Sequence, residues 1–378
     1  MDRNTIYILG RFTVVFIVHF ILKVAILVLI CVVKERENQM RELNILYLTD
    51  NNYAVFAGVS ITSMFKNNKT IDKFHVYIID DNIADSNKEK FQQLAAQYGH
   101  EIIFLDLTEG IRILEKAGAP KYRNSYTTYL KLFTFNLLPD SVKRIFFIDS
   151  DTIVVGDLGE MIDIDMEGCM IGAVRDGICH PYKLALGYDA NDSWFNMGVM
   201  LVDVEKWKEG NAQEKIVEQL KKRAAYIAVD QDLLNITQHG NIMTLHPRYN
   251  ATPHHYVYKE KDFRKAFPQG GFYESYEIMQ EAQEKPVIRH FERFVGHSAW
   301  NKNSVHPYAK LFDKYLKDSL WSAYEKKPAN LTTTLKIESF LYRILPKKIF
   351  VHIYAIGFKH YLLSTNKKMC EQTISNIS

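Results

Sequence analysis

Two aspartates one residue apart, Asp149 and Asp151, follow the apolar run Ile145-Phe146-Phe147-Ile148 and precede Thr152-Ile153-Val154-Val155-Gly156-Asp157. A short run of aromatic and β-branched residues predicts a buried strand. The carboxylates then stand just past its end, where ligands bind in an open α/β sheet. Alternate residues of an extended chain point the same way, so this spacing lets both face one cation. Two like charges this close are costly without a counter-ion. A hard divalent metal, itself bridging phosphates, is the natural one. An isolated Asp-x-Asp is more often a solvated turn, and it is the partner residues elsewhere that shift the balance.

The first partner is His290, which follows Val287-Ile288-Arg289 at an expected strand end. A lone histidine there is more often structural than a ligand. As a borderline nitrogen donor, it would complete a two-carboxylate site for manganese. Thr49-Asp50-Asn51-Asn52-Tyr53 reads as a turn of residues that bond their own backbone. Trp194 to Asp203 reads as a turn entering a strand, and Ala228 to Asn235 opens a helix with Asp230 as its expected N-cap.

The elements that must position these residues alternate. Strands are predicted over Ile45–Thr49, Phe74–Ile79, Ile102–Leu105, Ile145–Ile148 and Cys169–Val174. Helices are predicted over Ala54–Phe65, Ser86–Tyr98, Ser125–Leu138 and Val204–Arg223. This alternation implies a parallel, doubly wound sheet. No Gly-x-Gly-x-x-Gly follows the first strand, which argues against a Rossmann dinucleotide site and against a P-loop.

At 378 residues the chain has room for a substantial core and for additions to one large domain. A net charge of +3 carries no nucleic-acid footprint. The cysteines at 31, 169, 179 and 370 have neither metal-type nor disulfide-framework spacing, as expected of a reducing compartment. Asn-x-Ser/Thr triplets, among them those at Asn68, Asn191, Asn235, Asn250 and Asn330, are read as chance. There are no internal repeats and no low-complexity segment.

Both ends depart from this pattern. Phe12 to Val33 is almost wholly apolar, interrupted by His19 and Lys23, and has the length of a membrane span. Lys34, Arg36 and Arg41 follow it, against Arg3 and Arg11 before it, so the positive-inside tendency puts the following domain in the cytoplasm. The competing reading is an upstream extension ahead of a domain start at Met40. Beyond Asn330, Ile337, Phe340, Leu341 and Ile344 follow helical spacing, Pro346 breaks the helix, and Phe350, Ile353, Tyr354 and Tyr361 form a second stripe. Basic residues surround both stripes. Such a tail suits an anionic membrane surface, or a pair of helices packed on the domain. The expected divisions are residues 1–39 as the apolar segment, 40–315 as the catalytic domain and 316–378 as the helical tail.

Taken together, the motifs between Asn44 and Trp300 resemble glycosyltransferase family 8, which includes bacterial lipopolysaccharide galactosyl- and glucosyltransferases. The resemblance implies an α/β GT-A fold with a mostly parallel central sheet, a bound manganese ion with magnesium as substitute, and retention of anomeric configuration. It implies that Thr49, Asp50, Asn52 and Tyr53 hold the nucleoside of UDP-glucose or UDP-galactose, and that Asp149, Asp151 and His290 hold the metal, with Ser150 between the aspartates. In Phe195-Asn196-Met197-Gly198, Asn196 would contact the donor sugar. Asp230 and Gln231 would lie beneath the anomeric centre. Lys131 stands where the family usually has arginine, keeping the charge but losing the planar fork. Gly296-His297-Ser298-Ala299-Trp300 stands where the family has Gly-x-x-Lys-Pro-Trp, so the diphosphate lysine is missing and His297, Arg293 and Lys302 are the candidates to replace it.

The activity implied is hexosyl transfer to a glycan or glycolipid acceptor at the cytoplasmic side of a bacterial membrane, with no nucleic-acid partner. An amide such as Gln231 is a poor nucleophile, which favours front-face attack through an oxocarbenium-like state. The alternative is a sugar-nucleotide-binding or membrane scaffold without turnover. A glycoside hydrolase would need its carboxylates about 5–9.5 Å apart across the sugar, and adjacent aspartates are too near for that.

Overall fold

In strand β1 (Glu42–Asp50), Leu43, Ile45 and Tyr47 enter one core while Leu46 enters the other. A strand buried on both faces reads as a continuous apolar run, as a central parallel strand should. The computed structural model describes Lys23 and residues 40–377, apart from 120, 122–125, 190, 224–225 and 269–273. The expected apolar span Phe12–Val33 lies, save Lys23, outside the described residues. Among the described residues, no helix is long and apolar enough to cross a membrane.

From Glu42 onward the chain forms one compact unit. The remaining strands are β2 (Lys73–Asp81), β3 (Glu101–Leu105), β4 (Arg144–Ile148), β5 (Thr152–Val154), β6 (Ile171–Arg175), β7 (Phe195–Asp203), β8 (Ile242–Thr244) and β9 (Ile288–His290). The central seven-stranded sheet runs β3-β2-β1-β4-β7-β6-β8. β1 to β4 are mutually parallel, and β7 is antiparallel to both β4 and β6. The fold is thus α/β with a mostly parallel sheet of GT-A type. Strand order reverses beside β1, where the loops leaving β1 and β4 lie side by side. That is the switch point at which open α/β sheets bind ligands.

One sheet face is covered by helix Ala54–Asn67, over which Trp300, Phe312 and Trp321 pack. A Cβ at Gly58 would stand 2.3 Å from the Trp321 ring, so only glycine admits the indole there. The other face is covered by helix Thr127–Thr134 and the segments around Trp207, Ile216 and Leu233.

Three local expectations are corrected. The helix expected over Val204–Arg223 is two, Val204–Glu209 and Ala212–Lys222, because Gly210 ends the first and Asn211 adopts φ 49°. The Ser125–Leu138 expectation shortens to Thr127–Thr134 followed by a 3-10 turn at Phe135–Leu137, ahead of Pro139. Asp149 and Asp151 stand just past β4 as expected, but not on extended chain: residues 149–151 form the turn between β4 and β5.

Two helices close the chain, Thr333–Ile344 and Lys347–Ile377, separated at Leu345-Pro346. The second packs against helices His180–Ala185 and Glu260–Ala266. Phe350, Val351 and Ala355 share a core with Phe263, Phe267, Phe294 and Val295.

Candidate active site

The aspartate turn is fixed by its backbone. Asp149 N–H donates to Gly198 O at 2.8 Å, the Thr152 hydroxyl to Asp149 O at 2.9 Å, and the Ser150 hydroxyl to Leu48 O at 2.7 Å. Beyond the turn, β5 pairs with β9 so that Thr152 lies opposite His290. Phe291 N–H closes the pairing on Asp151 O at 2.7 Å. This short ladder carries His290, remote in sequence, to the two carboxylates. Ligand atoms of Asp149, Asp151 and His290 lie within 4.8 Å of one another, with Nε2 of His290 3.3 Å from Asp151 Oδ1 and 3.9 Å from Asp149 Oδ2.

The surroundings fit a cation. His290 Nδ1 lies 2.9 Å from Asn250 Oδ1, which can only accept. Nδ1 therefore carries the proton and Nε2 faces the carboxylates, as in histidines whose second nitrogen is held by an outer partner. The Asn250 amide is itself oriented, donating to Asn196 Oδ1 at 2.8 Å, an oxygen that also accepts Gly198 N–H at 3.0 Å. A Cβ at Gly198 would stand 2.3 Å from His290 Cε1 and 2.7 Å from Asp149 Oδ2, so glycine is the residue that lets β7 approach the cluster.

Charge points the same way. Asp149, Asp151, Asp176, Asp230 and Glu292 gather around Lys131 and His290. Burial, with Asp151 adding to it and Lys131 opposing, pushes the Asp149 carboxyl up to about 6. Burial disfavours the charged His290 imidazole, but Asp151, Glu292 and Asp149 outweigh it and raise the ring to about 9. Asp151 is also desolvated, yet His290 holds it below the ordinary carboxylate range. A divalent ion and the Nε2 proton compete for one lone pair, and the ion relieves repulsion that the proton relieves only in part.

Lys131 is buried on helix Thr127–Thr134. Its ammonium pairs with Asp230, lies 3.8 Å from Asp149 and donates to Met197 O at 3.0 Å. Burial lowers its pKa, but Asp149 and Asp230 more than reverse this, so it stays charged. Asp230 is not the N-cap expected of it. Ala228 occupies that position, the helix spans Val229–Thr237, and the Asp230 side chain is taken by Lys131. Gln231 Nε2 donates to Asp176 Oδ2 at 2.9 Å. Asn235 fixes this helix to β7 by accepting Phe195 N–H and donating to Phe195 O, both at 2.9 Å.

Asp50 ends β1, and its Oδ1 accepts Tyr53 N–H at 2.7 Å, shaping the turn into helix Ala54–Asn67. Thr49 is buried, Asn52 is exposed, and the half-exposed Tyr53 ring meets Phe56 and Trp300 edge-on at 5.2 and 6.1 Å. Gly296 occupies a different setting. At φ 75° it turns the chain beneath Leu331 and Leu335. Of the lysine replacements considered, buried His297 faces Ser339 at 3.1 Å, with burial holding its pKa low. Arg293 and Lys302 are exposed.

Asn250, Asp176 and Glu292 were missed by the sequence reading. Asn250 stood out there only as a glycosylation triplet, and Glu292 only as a neighbour of His290. Glu292 Oε1 accepts Asn196 Nδ2 at 2.6 Å, and burial pushes its carboxyl up to about 7.

A sheet of this order, with an Asp-x-Asp turn at the carboxyl ends of its strands, defines a GT-A-type glycosyltransferase. Residues 44–331 match the family described as glycosyl transferase family 8, and the chain belongs to it. Over 286 residues it is 26% identical to general stress protein A of Bacillus subtilis, covering 74% of this chain and 95% of that protein. It is 27% identical to the lipopolysaccharide 1,2-glucosyltransferase of Escherichia coli K12, covering 74% and 79%. The crystal structure of galactosyltransferase LgtC with donor and acceptor sugar analogues superposes with a TM-score of 0.58 at 23% identity, covering 74% of this chain and 96% of that one. That likeness is one of fold.

Proposed function

We propose that this chain is a manganese-dependent, retaining hexosyltransferase. It moves galactose or glucose from UDP-galactose or UDP-glucose to a glycan or glycolipid acceptor of the bacterial cell surface. The observation that carries this reading is the convergence of Asp149, Asp151 and the Asn250-oriented His290 on one point beside β1. Asp149, Asp151 and His290 would hold manganese, or magnesium in its place, and the ion when bound supplies Lewis acidity to the departing diphosphate.

The chain's own residues do the rest. Tyr53, packed edge-on against the stacked Phe56 and Trp300 rings, offers a half-exposed ring for the uracil. Thr49, Asp50, Asn52 and Ser150 complete the donor assignment by family likeness, whereas Gly296, assigned with them in the sequence, packs against Leu331 and Leu335. Lys131 brings positive charge beneath the cluster and fixes Asp230, so that a sugar hydroxyl would meet a carboxylate of set orientation. Asn196, tied to Gly198, Asn250 and Glu292, would present its amide to the donor sugar. Gln231 is an amide restrained by Asp176. Such a group orients and polarises but is a weak nucleophile, so attack comes from the leaving-group face and the anomeric configuration is kept.

Proton NMR of the product tests this, since an inverted anomeric centre rules it out. Asp151→Ala is expected to abolish metal-dependent UDP release from both donors, and a fully active variant refutes the metal assignment. The proposed location is the cytoplasmic face of a bacterial membrane, reached through the C-terminal helices or anchored through Phe12–Val33. In support, Ile337, Phe340, Ile344, Ile349, Ile353 and Ile356 are each at least 44% exposed, with Lys336, Arg343, Lys347 and Lys348 interspersed. Apolar side chains framed by cations suit an anionic lipid surface.

A further inference from the structure

Beside the metal cluster, on its Asn196–Glu292 side, lies a cavity of about 320 Å³. Its floor is polar and includes Asp176, Gln231 and Glu292, while its outer wall is the C-terminal helix, through Tyr354, Phe358 and Tyr361. At about 100° per residue these three lie within about 60° of one another on one helix face, roughly opposite Ile349 and Ile356, with Ile353 to one side. The Tyr354 and Phe358 rings are nearly parallel, 5.9 Å apart with 9° between their planes. Burial pushes the Tyr354 hydroxyl up, and Glu338, Glu292 and Asp176 add to it, so the phenol shares the field of the floor carboxylates.

We infer that this cavity is the acceptor subsite, and that the aromatic face of helix Lys347–Ile377 recognises the acceptor as a saccharide. The inference rests on the donor reading above, because Asn196 and Gln231 belong to both. The axial C–H groups of a pyranose carry slight positive charge and seat on the negative face of an aromatic ring. Its hydroxyls need acceptors and donors on the other side, and Asp176, Gln231 and Glu292 supply them. Gln231 and Asn196 already donate to Asp176 and Glu292, but an acyl chain would strip water from the remaining carboxylate lone pairs without replacing it, at a cost that apolar contact does not return. The volume is at the lower end of the about 300–1,000 Å³ of small-ligand sites, enough for the terminal part of a glycan. The same helix would then read the acceptor with one face and turn its isoleucines outward with the other.

Saturation-transfer NMR on the full chain tests this, using lactose and methyl α-glucopyranoside as probes, with UDP and magnesium present. The wild type is expected to transfer saturation to the sugar ring protons. Tyr361→Ala and Phe358→Leu should each weaken the signal at least fivefold, Tyr361→Trp should restore it, and His360→Ala, outside the cavity lining, should keep it. Absence of signal in the wild type, an undiminished signal in Tyr361→Ala, or octanoate displacing the sugars overturns the inference. UDP titrated calorimetrically into the wild type checks the donor reading separately. UDP binding without a saccharide signal sinks the subsite alone. A saccharide signal without UDP binding sinks the donor reading and leaves a saccharide site.

Discussion

At Asn250 one carboxamide decides what His290 can do. Its Oδ1 takes the Nδ1 proton and its Nδ2 is committed to Asn196, so the imidazole presents Nε2 to Asp151 and Asp149. Asn250→Ala removes that acceptor and frees both the tautomer and the ring. Loss of such an outer partner typically costs about 10–100-fold in metal affinity. The free-ion EPR signal during manganese titration should show a loss of that size, with affinity largely regained in Asn250→Asp, which keeps an acceptor oxygen. Unchanged affinity in the alanine variant would remove Asn250 from the site. The residue was invisible as a ligand-orienting group in the sequence, because an amide has no characteristic spacing from the histidine it serves. Asp149-Ser150-Asp151 was legible because its function is local.

At the scale of elements, the helix Val229–Thr237 is held from beneath by Asp232. Its Oδ2 accepts the Tyr182 hydroxyl at 2.7 Å and Ala228 N–H at 3.1 Å, and burial raises the carboxyl from 3.8 to about 7. Between these values the unfolded chain gives up the proton while the folded chain keeps it. Stability from this group is therefore complete below about 4 and lost as pH rises to about 7, at about 1.4 kcal/mol per unit. Asp232→Asn has no proton to lose. Its Tm relative to wild type is expected to rise by about 2 °C or more between pH 5 and pH 8; a constant difference would show that the carboxyl ionises normally in the fold. The sequence showed a helix opening over Ala228–Asn235, but could not show that Asp232, flanked by Gln231 and Leu233, would be buried beneath it. Likewise the break at Gly210-Asn211 was masked by apolar positions that keep helical spacing on both sides of it.

For the molecule as a whole, the C-terminal helices join the catalytic unit to an outward apolar surface. Helix Lys347–Ile377 is seated by Phe350, Val351 and Ala355 against Phe263 and Phe267, which leaves Ile349, Ile353 and Ile356 exposed. The full chain should co-sediment with phosphatidylglycerol vesicles, less with phosphatidylcholine vesicles, and lose part of that binding as salt shortens the Debye length from about 10 Å at 0.1 M to about 3 Å at 1 M. Replacing Phe340, Ile353 and Ile356 together by serine should release it at low salt. Retention of the triple variant on vesicles would place the contact elsewhere.

Periodicity and local composition alone determined the strand–helix alternation, the aspartate turn beside a buried strand and the amphipathic tail, because each depends on neighbours a few residues away. Only the tertiary structure decided that β5 pairs with β9, which draws His290 to Asp151, and that Lys131 spends its charge on Asp230 and Asp149. It also decided that Gly198 is needed for want of space and that aromatic residues of the tail wall a cavity beside Gln231. These are contacts between segments distant in sequence, and their energy depends on burial and distance, quantities that no run of neighbouring residues encodes.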